Sequence, residues 1–429
     1  MTGRSGNRAL DLVLYGATGL VGTLTARYLA STGSAMSIGL AGRSEPALTR
    51  LRDGLGSPAR NWTILRAHSG DPQSLREMAA SARLVVSAAG PYADTGLPVV
   101  SACVAVGTEY VDIAGETLFI RDSAHQFHDE AASKNLRIVH SCGFDSLPSD
   151  LSVYLLHRRA AQDGTGSLVE TNHLLFGQMG NVSAGTIASA IQMLRRCGAH
   201  SSDRRDLLDA YTLTPDRPSE PDLGEQPDWL CRAGRAVAPE VSHVQTTAFA
   251  LAIPNSRIVR RSNALQNWAY GRNLRYTESV ALTGSRVSAL IARLLYLVIR
   301  FGFGVSSRTI HRWPNRLVDV LPAIASVARR RYSGSYRVET YATTSENIRY
   351  RAIFEQDGDP GSHATSVLLA ESALAMLESG SDESRVCGVL TPAVAIGQVL
   401  PERLSRAGLT LRTQRLSPEH TAAAGSPEP

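Results

Sequence analysis

At 429 residues the chain is long enough for two domains, or for one domain carrying a large insertion. Its five cysteines are odd in number, far apart and without C-x-x-C spacing, which argues against a disulfide framework and a structural zinc and fits a reducing compartment. The net charge of +5 rests almost wholly on arginine, and Lys134 as the only lysine excludes a Schiff base, a P-loop and a Tyr-x-x-x-Lys pair. No run of His, Cys and acidic residues makes a metal site, so none is expected. No charged-then-apolar segment near the start reads as a secretory signal, so a cytoplasmic location is expected.

The first element in the chain is the most informative. The apolar run Leu12-Val13-Leu14-Tyr15 reads as a buried strand and leads into Gly16-Ala17-Thr18-Gly19-Leu20-Val21-Gly22, after which a helix begins. Gly16 permits a tight turn, Gly19 lets backbone approach a pyrophosphate, and Gly22 lets helix and strand pack closely. The unpaired N–H groups and partial positive charge of the helix start then suit a dinucleotide diphosphate. The second strand, Met36 to Ala41, ends at Gly42-Arg43-Ser44 instead of the Asp or Glu that takes a ribose 2′-hydroxyl. A guanidinium there suits a 2′-phosphate, so NADPH is expected over NADH.

A helix follows at 45–55, then a strand around Trp62 to Leu65. Asp71-Pro72 opens the next helix, with Asp71 either capping it or touching the adenine. The strand Leu84 to Ala89 ends in Gly90-Pro91-Tyr92, where Ala89, Gly90 and Pro91 border the cofactor. Tyr92 donates to the substrate or packs on the nicotinamide. Further alternation through Tyr110 to Ile113 and Arg137 to His140 predicts a mostly parallel, doubly wound sheet over residues 8–150. Cys142, Phe144 and Asp145 follow its sixth strand and are expected near the nicotinamide. Asp145 reads as the N-cap of the helix beyond Pro148. Asp112 reads as an acceptor behind the site, and His140 as a proton donor or a satisfied core residue.

From about 151 the rhythm changes. Helical patterns at 149–161 and 184–198 bracket a strand from Leu168 to Phe176, where His173 carries the same two readings as His140. Ser183 and Thr186, in a turn before a helix, supply donors to a carbonyl or cap that helix. Val244 to Val259, Tyr336 to Thr344 and Ile348 to Phe354 read as strands, so residues 151–360 are expected to form an α+β domain with an antiparallel sheet. Segment 286–331 carries nine arginines against Asp319 alone, a local charge of +8. Arginines inside its apolar run are too costly for a bilayer centre. Two readings stay open: a core-facing helix with a wet arginine stripe, or an interfacial helix meeting anionic lipid or a partner that handles lipid. Nothing here points to nucleic acid. Residues 361–412 return to helices, and 413–429 are expected to be disordered.

Taken together, the glycine turn, Ala41-Gly42-Arg43, Ala89 to Tyr92, Tyr110-Val111-Asp112 with Gly115-Glu116, Cys142 to Asp150, Ser183 to Thr186, Arg260 to Asn263, Ala370 to Leu374 and Gly388 to Ala393 stand in an order that resembles the saccharopine dehydrogenase-like oxidoreductases, especially their actinobacterial trans-acting enoyl reductases. The resemblance implies a Rossmann domain, a large middle domain, and C-terminal helices returning to the first. It also implies NADPH-linked reduction of a carbon–carbon double bond in an acyl or polyketide thioester during lipid assembly. The substrate would come on a carrier domain of a synthase. Tyr92, Ser183 and Thr186 would then serve the substrate. Segment 286–331 departs from what saccharopine chemistry needs, and its interfacial reading gives peripheral membrane contact. Two other readings are an amino- or keto-acid dehydrogenase of the same broad family and a non-catalytic NADPH-binding scaffold at a lipid surface. An apolar tunnel would favour the enoyl reading, and an arginine-lined polar cleft the amino-acid one.

Overall fold

The structure is a computed structural model that describes residues 8–33, 35–176, 184–283, 286–312, 335–357, 360–379 and 385–417. Strands β1 (Leu10–Tyr15), β2 (Ile38–Gly42), β3 (Thr63–Arg66), β4 (Ala82–Ser87), β5 (Glu109–Asp112) and β6 (Arg137–Val139) alternate with helices α1 (Leu20–Ser31), α2 (Glu45–Gly54), α3 (Pro72–Ser81), α4 (Tyr92–Val106) and α5 (Thr117–Ser133). Helix α6 (Leu147–Gln162) then crosses into a second layer. This holds β7 (Leu168–Phe176), α7 (Ala184–Ala199), α8 (Ser201–Leu208), β8 (Val244–Ala248), α9 (Ala252–Leu265), β9 (Arg275–Thr283), α10 (Arg286–Thr309), β10 (Ser335–Thr344) and β11 (Arg349–Asp357). The chain returns through α11 (Thr365–Glu378), β12 (Gly388–Leu390), α12 (Pro392–Ile396), α13 (Leu400–Arg406) and β13 (Thr410–Arg415).

The first sheet runs β12-β6-β5-β4-β1-β2-β3 and is parallel at every pairing. Its central strands carry unbroken apolar runs (Leu12, Val13, Leu14, Leu84, Val85 and Val86 are all fully buried), because helices cover both faces. Strand order reverses between β1 and β4, which opens a crevice at their carboxyl ends. The expected return of the C-terminal helices is seen in α11, which packs on α1: Glu371 accepts from the Tyr28 hydroxyl at 2.7 Å and from Arg403 Nε at 2.8 Å.

The second sheet departs from expectation in three ways. Its order is β13-β11-β10-β7-β9-β8, and β7 pairs with β9 in parallel, so it is mixed and not purely antiparallel. The stretch Val244 to Val259 is only a strand to Ala248; from Ala252 it is α9. That helix is buried from Ala252 to Asn263, so it has no wet face to give it a helical period. Residues 413–415, expected in a disordered tail, are the end of β13, paired with Tyr350 to Ala352.

Buried arginines hold α9 in place. Arg257, 2% exposed, pairs with Asp228 and donates to the Leu208 carbonyl at 3.1 Å, while Arg261 donates to the carbonyls of Leu213 and of Val389 (2.6 Å). Replacing Asp228 with asparagine removes the charge that compensates Arg257 and is expected to cost about 2 kcal/mol. Denaturant unfolding measures it; an unchanged midpoint would show that the carbonyls alone satisfy the guanidinium.

Candidate active site

The glycine turn sits at the β1/β4 crevice. Gly16 has φ +78°, and a Cβ there would lie 2.9 Å from both Ala89 Cβ and Ala89 N, so this glycine is required by the loop after β4. A Cβ on Gly22 would fall on the Gly16 carbonyl oxygen and lie 2.9 Å from Ala17 Cα. The turn is closed by Gly19 N donating to Gly16 O at 3.0 Å and by the Thr23 hydroxyl donating to Ala17 O at 3.2 Å. Gly19 begins α1 without any side-chain cap. Thr18, Gly19 and Leu20 are exposed, so the first N–H groups of α1 face the crevice unclaimed by a side chain. The cradle that a Cβ would fill and the uncapped helix start fit a dinucleotide diphosphate.

Arg43 and Ser44 follow β2 on the same edge. Arg43 is exposed, and among the described residues no carboxylate pairs with it; it lies beside Tyr15, whose hydroxyl burial pushes up. Ser44 caps α2, its Oγ accepting from Ala47 N at 3.4 Å. Asp71 caps α3 through Oδ1, which accepts from Gln73 N (3.1 Å) and Ser74 N (3.2 Å). Ala89, Gly90 and Pro91 form the loop facing Gly16. Arg43→Ala is expected to remove charge-assisted contacts worth about 2 kcal/mol to a 2′-phosphate, roughly thirty-fold in NADPH affinity. Titrations with NADPH and NADH check this, since NADH binding should hardly change.

The substrate side differs more from expectation. Tyr92, 4% exposed, turns its hydroxyl into the sheet: it donates to Ser87 O at 2.8 Å, and Ile113 N donates to it at 3.4 Å. Burial pushes that hydroxyl well above its ordinary range. This geometry makes Tyr92 a packing residue, stacked on Phe119, and leaves it no proton to offer the crevice. Ser183 lies outside the described residues; Thr186 is in the first turn of α7, with its side chain outside the description. His140 is buried between Ser123 Oγ and Asp112 Oδ2, each 2.8 Å away. Asp112 also accepts from Tyr110 and from the N–H groups of Ala114 and Ser141, so it braces the strand ends as expected. His173 bonds Thr340 Oγ1 at 2.9 Å, and burial pushes it down to about 3, so it stays neutral.

Asp145 does not cap α6. Ser146 holds the N-cap position and makes no side-chain cap. Asp145 instead lines a small cavity where the sheets meet, with Phe144, Pro148 and Ser149 from the first layer, His173, Leu175 and Val338 from the second sheet, and Phe249 and Asn255 from α9 and its approach. Burial pushes Asp145 up to about 6, and among the described residues no hydrogen bond engages it. Asn255 is fixed by the Ser146 hydroxyl (2.8 Å) and by donating to Glu278 (2.8 Å). The walls mix five apolar residues with Asp145, Ser149, His173 and Asn255, and no arginine is among the lining residues. A polar hollow with Arg232 and Arg275 lies on the opposite face of the second sheet, where Arg232 already contacts Asn172 (3.2 Å) and Arg275 the Leu223 carbonyl (2.6 Å). Glu116 is the residue the motifs left without a role. It accepts from Tyr92 N and Ala93 N at 2.7 Å each and from Ser189 of α7 at 2.6 Å, tying the second layer to the start of α4.

Comparison with known proteins agrees with this geometry. Residues 12–139 match the saccharopine dehydrogenase NADP-binding domain. A protein of Mycobacterium tuberculosis, provisionally named a trans-acting enoyl reductase, is 47% identical over 413 residues, covering 96% of this chain and 99% of its own. The trans-acting enoyl reductase of Mycobacterium ulcerans is 42% identical over 417 residues, with the same coverage of both chains. The chain belongs to this family. The family's NADP-binding domain makes it an NADPH-linked oxidoreductase, in keeping with the free Arg43. Apo saccharopine dehydrogenase (L-Glu forming) from Saccharomyces cerevisiae shares the fold, with a TM-score of 0.55 at 12% identity over 95% of this chain and 100% of that one.

Proposed function

We propose that this protein reduces the carbon–carbon double bond of an enoyl thioester held on a carrier domain of a synthase. The observation that carries the reading is the likeness to trans-acting enoyl reductases over 96% of the chain, joined to the NADP-binding crevice; a substrate with several carboxylates would need arginines beside Asp145, and none lines that cavity. The names of the relatives support it.

Gly16, Thr18, Gly19, Leu20, Val21 and Gly22 would hold the diphosphate of NADPH, Arg43 and Ser44 its 2′-phosphate, and Asp71 and Ala89 to Pro91 would border it. When bound, NADPH supplies a hydride. The chain's own residues do the rest. Phe144, Leu175, Phe249 and Val338 keep bulk water from the Asp145 carboxyl. Asp145 holds a proton on its carboxyl and gives it to the α-carbon as an enolate's charge is relieved there. Ser183 and Thr186 are the proposed donors to the thioester oxygen. Among the described residues no helix is long and apolar enough to cross a membrane. We propose a cytoplasmic protein in peripheral contact with the membrane's inner face through segment 286–331, whose local charge is +8.

The test is NADPH absorbance followed with purified protein and 2-enoyl thioesters of varied chain length, alongside amino- and keto-acids. Consumption with the thioesters alone is expected. Consumption only with the acids, or tight NADPH binding without turnover on any acyl carrier, would overturn the reading.

A further inference from the structure

Helix α10 breaks the usual rule for where apolar side chains go. Of the large apolar residues left exposed in the described chain, seven are on this one helix: Leu290, Ile291, Leu294, Leu295, Leu297, Phe301 and Val305. Leu290 is 70% and Phe301 65% exposed. At about 100° per residue, positions 290, 294, 297, 301 and 305 fall within an arc of about 80°, so they form one stripe, about 22 Å long at 1.5 Å per residue. The opposite side is anchored: Ala292 is buried, its carbonyl accepts from the Thr247 hydroxyl of β8 at 2.7 Å, and Ile310 just beyond the helix packs on Ile191 of α7. The core-facing reading of this helix is therefore corrected, because its greasiest face looks outward.

We propose that this face of α10 docks on an anionic lipid bilayer, lying in the plane of the interface. The proposal deepens the functional reading above, on which it rests for the peripheral location. The charge pattern selects the occupant. Residues 286–309 contain four arginines and no acidic residue, and Arg293, Arg308 and Arg312 are exposed at the rim and far end of the stripe. A second copy of the helix would set arginine against arginine with no acid to compensate, unlike helix pairs that use opposite charges beside the seam. A headgroup layer bearing phosphates receives both parts at once: the leucines and Phe301 enter the acyl boundary and the guanidinium groups stay among the phosphates.

The experiment is co-sedimentation of the full-length protein, without NADPH or substrate, with vesicles of phosphatidylglycerol and phosphatidylcholine or of phosphatidylcholine alone. The protein should sediment with the anionic vesicles, less so as salt rises. Each arginine neutralised (Arg293→Gln, Arg308→Gln) should weaken binding about five-fold. Leu294→Glu with Phe301→Glu should leave the protein in the supernatant, with its melting temperature and NADPH affinity unchanged. No sedimentation of the wild type, or equal sedimentation with neutral vesicles, overturns the proposal. So does a wild-type dimer that the double variant dissolves, or binding to an acidic carrier domain in place of vesicles. None of these outcomes depends on turnover, so a failure here leaves the enoyl reductase assay to be judged separately.

Discussion

Alanine at position 22 is expected to abolish measurable NADPH binding and to lower stability by about 3 kcal/mol. Two effects compete. Alanine is the better helix former by about 1 kcal/mol, and Gly22 lies in the first turn of α1. Against that, the new methyl would meet backbone, at the Gly16 carbonyl and at Ala17, and backbone cannot rotate aside as a side chain can. The helix must therefore back away from β1, carrying its first N–H groups off the diphosphate position. Gly54→Ala is the control, because its added Cβ meets nothing within 4 Å. NADPH fluorescence titration and thermal melting read both outcomes. Retained binding with a raised melting temperature would mean that strand and helix are not this close.

The Asp145→Asn variant is expected to lose about 10²- to 10⁴-fold in turnover while keeping its NADPH affinity. Burial pushes the Asp145 carboxyl up to about 6, so in the wild type the protonated, donating form is lost as pH rises through that value, and kcat should fall on the alkaline side. The variant should show no such inflexion. Stability gives an independent reading with a definite sign. A carboxyl whose folded pKa is raised costs the folded state nothing below its unfolded value near 4, and costs most above about 6, where it is ionised in both states. Asparagine removes that cost. Above pH 6 the variant should therefore melt no lower than the wild type while being nearly inactive. A variant that is fully active, or whose activity and melting temperature fall together, would remove Asp145 from the chemistry.

The parts of this protein that could be read from its chain are those whose cause is local. The parallel sheet announces itself through uninterrupted apolar strands and the turn residues that end them. The cofactor edge does so through glycines at fixed spacing and Arg43 where an acid would otherwise stand. Asp145 carries the local signature of a cap, an aspartate shortly before Leu147-Pro148; only the approach of Phe249 and Val338 from distant segments turns it into a cavity carboxyl. Helix α9 was half hidden for the same reason. A helix buried on all sides has no period, and its arginines find their partners in Asp228, Leu213 and Val389. Strand β9 has no clear alternation in the sequence because its inward side chain at 278 is a glutamate; burial holds that carboxyl up at about 7, bonded to Tyr276 and Asn255.

The last described residues also constrain how this molecule is made. Strand β12 completes one edge of the parallel sheet and β13, twenty residues later (390 to 410), completes an edge of the other. A ribosome that has released only the first 150 residues has exposed a sheet whose β6 edge lacks its neighbour. It must still translate to Leu390 before that sheet gains its last strand, and to Arg415 before the other does. Folding domain by domain during synthesis is the ordinary economy of long chains. Here it is denied to both halves until residue 390, so nascent chains should depend on chaperones until these late strands emerge, and a nonsense codon before 388 should yield no soluble fragment of either half.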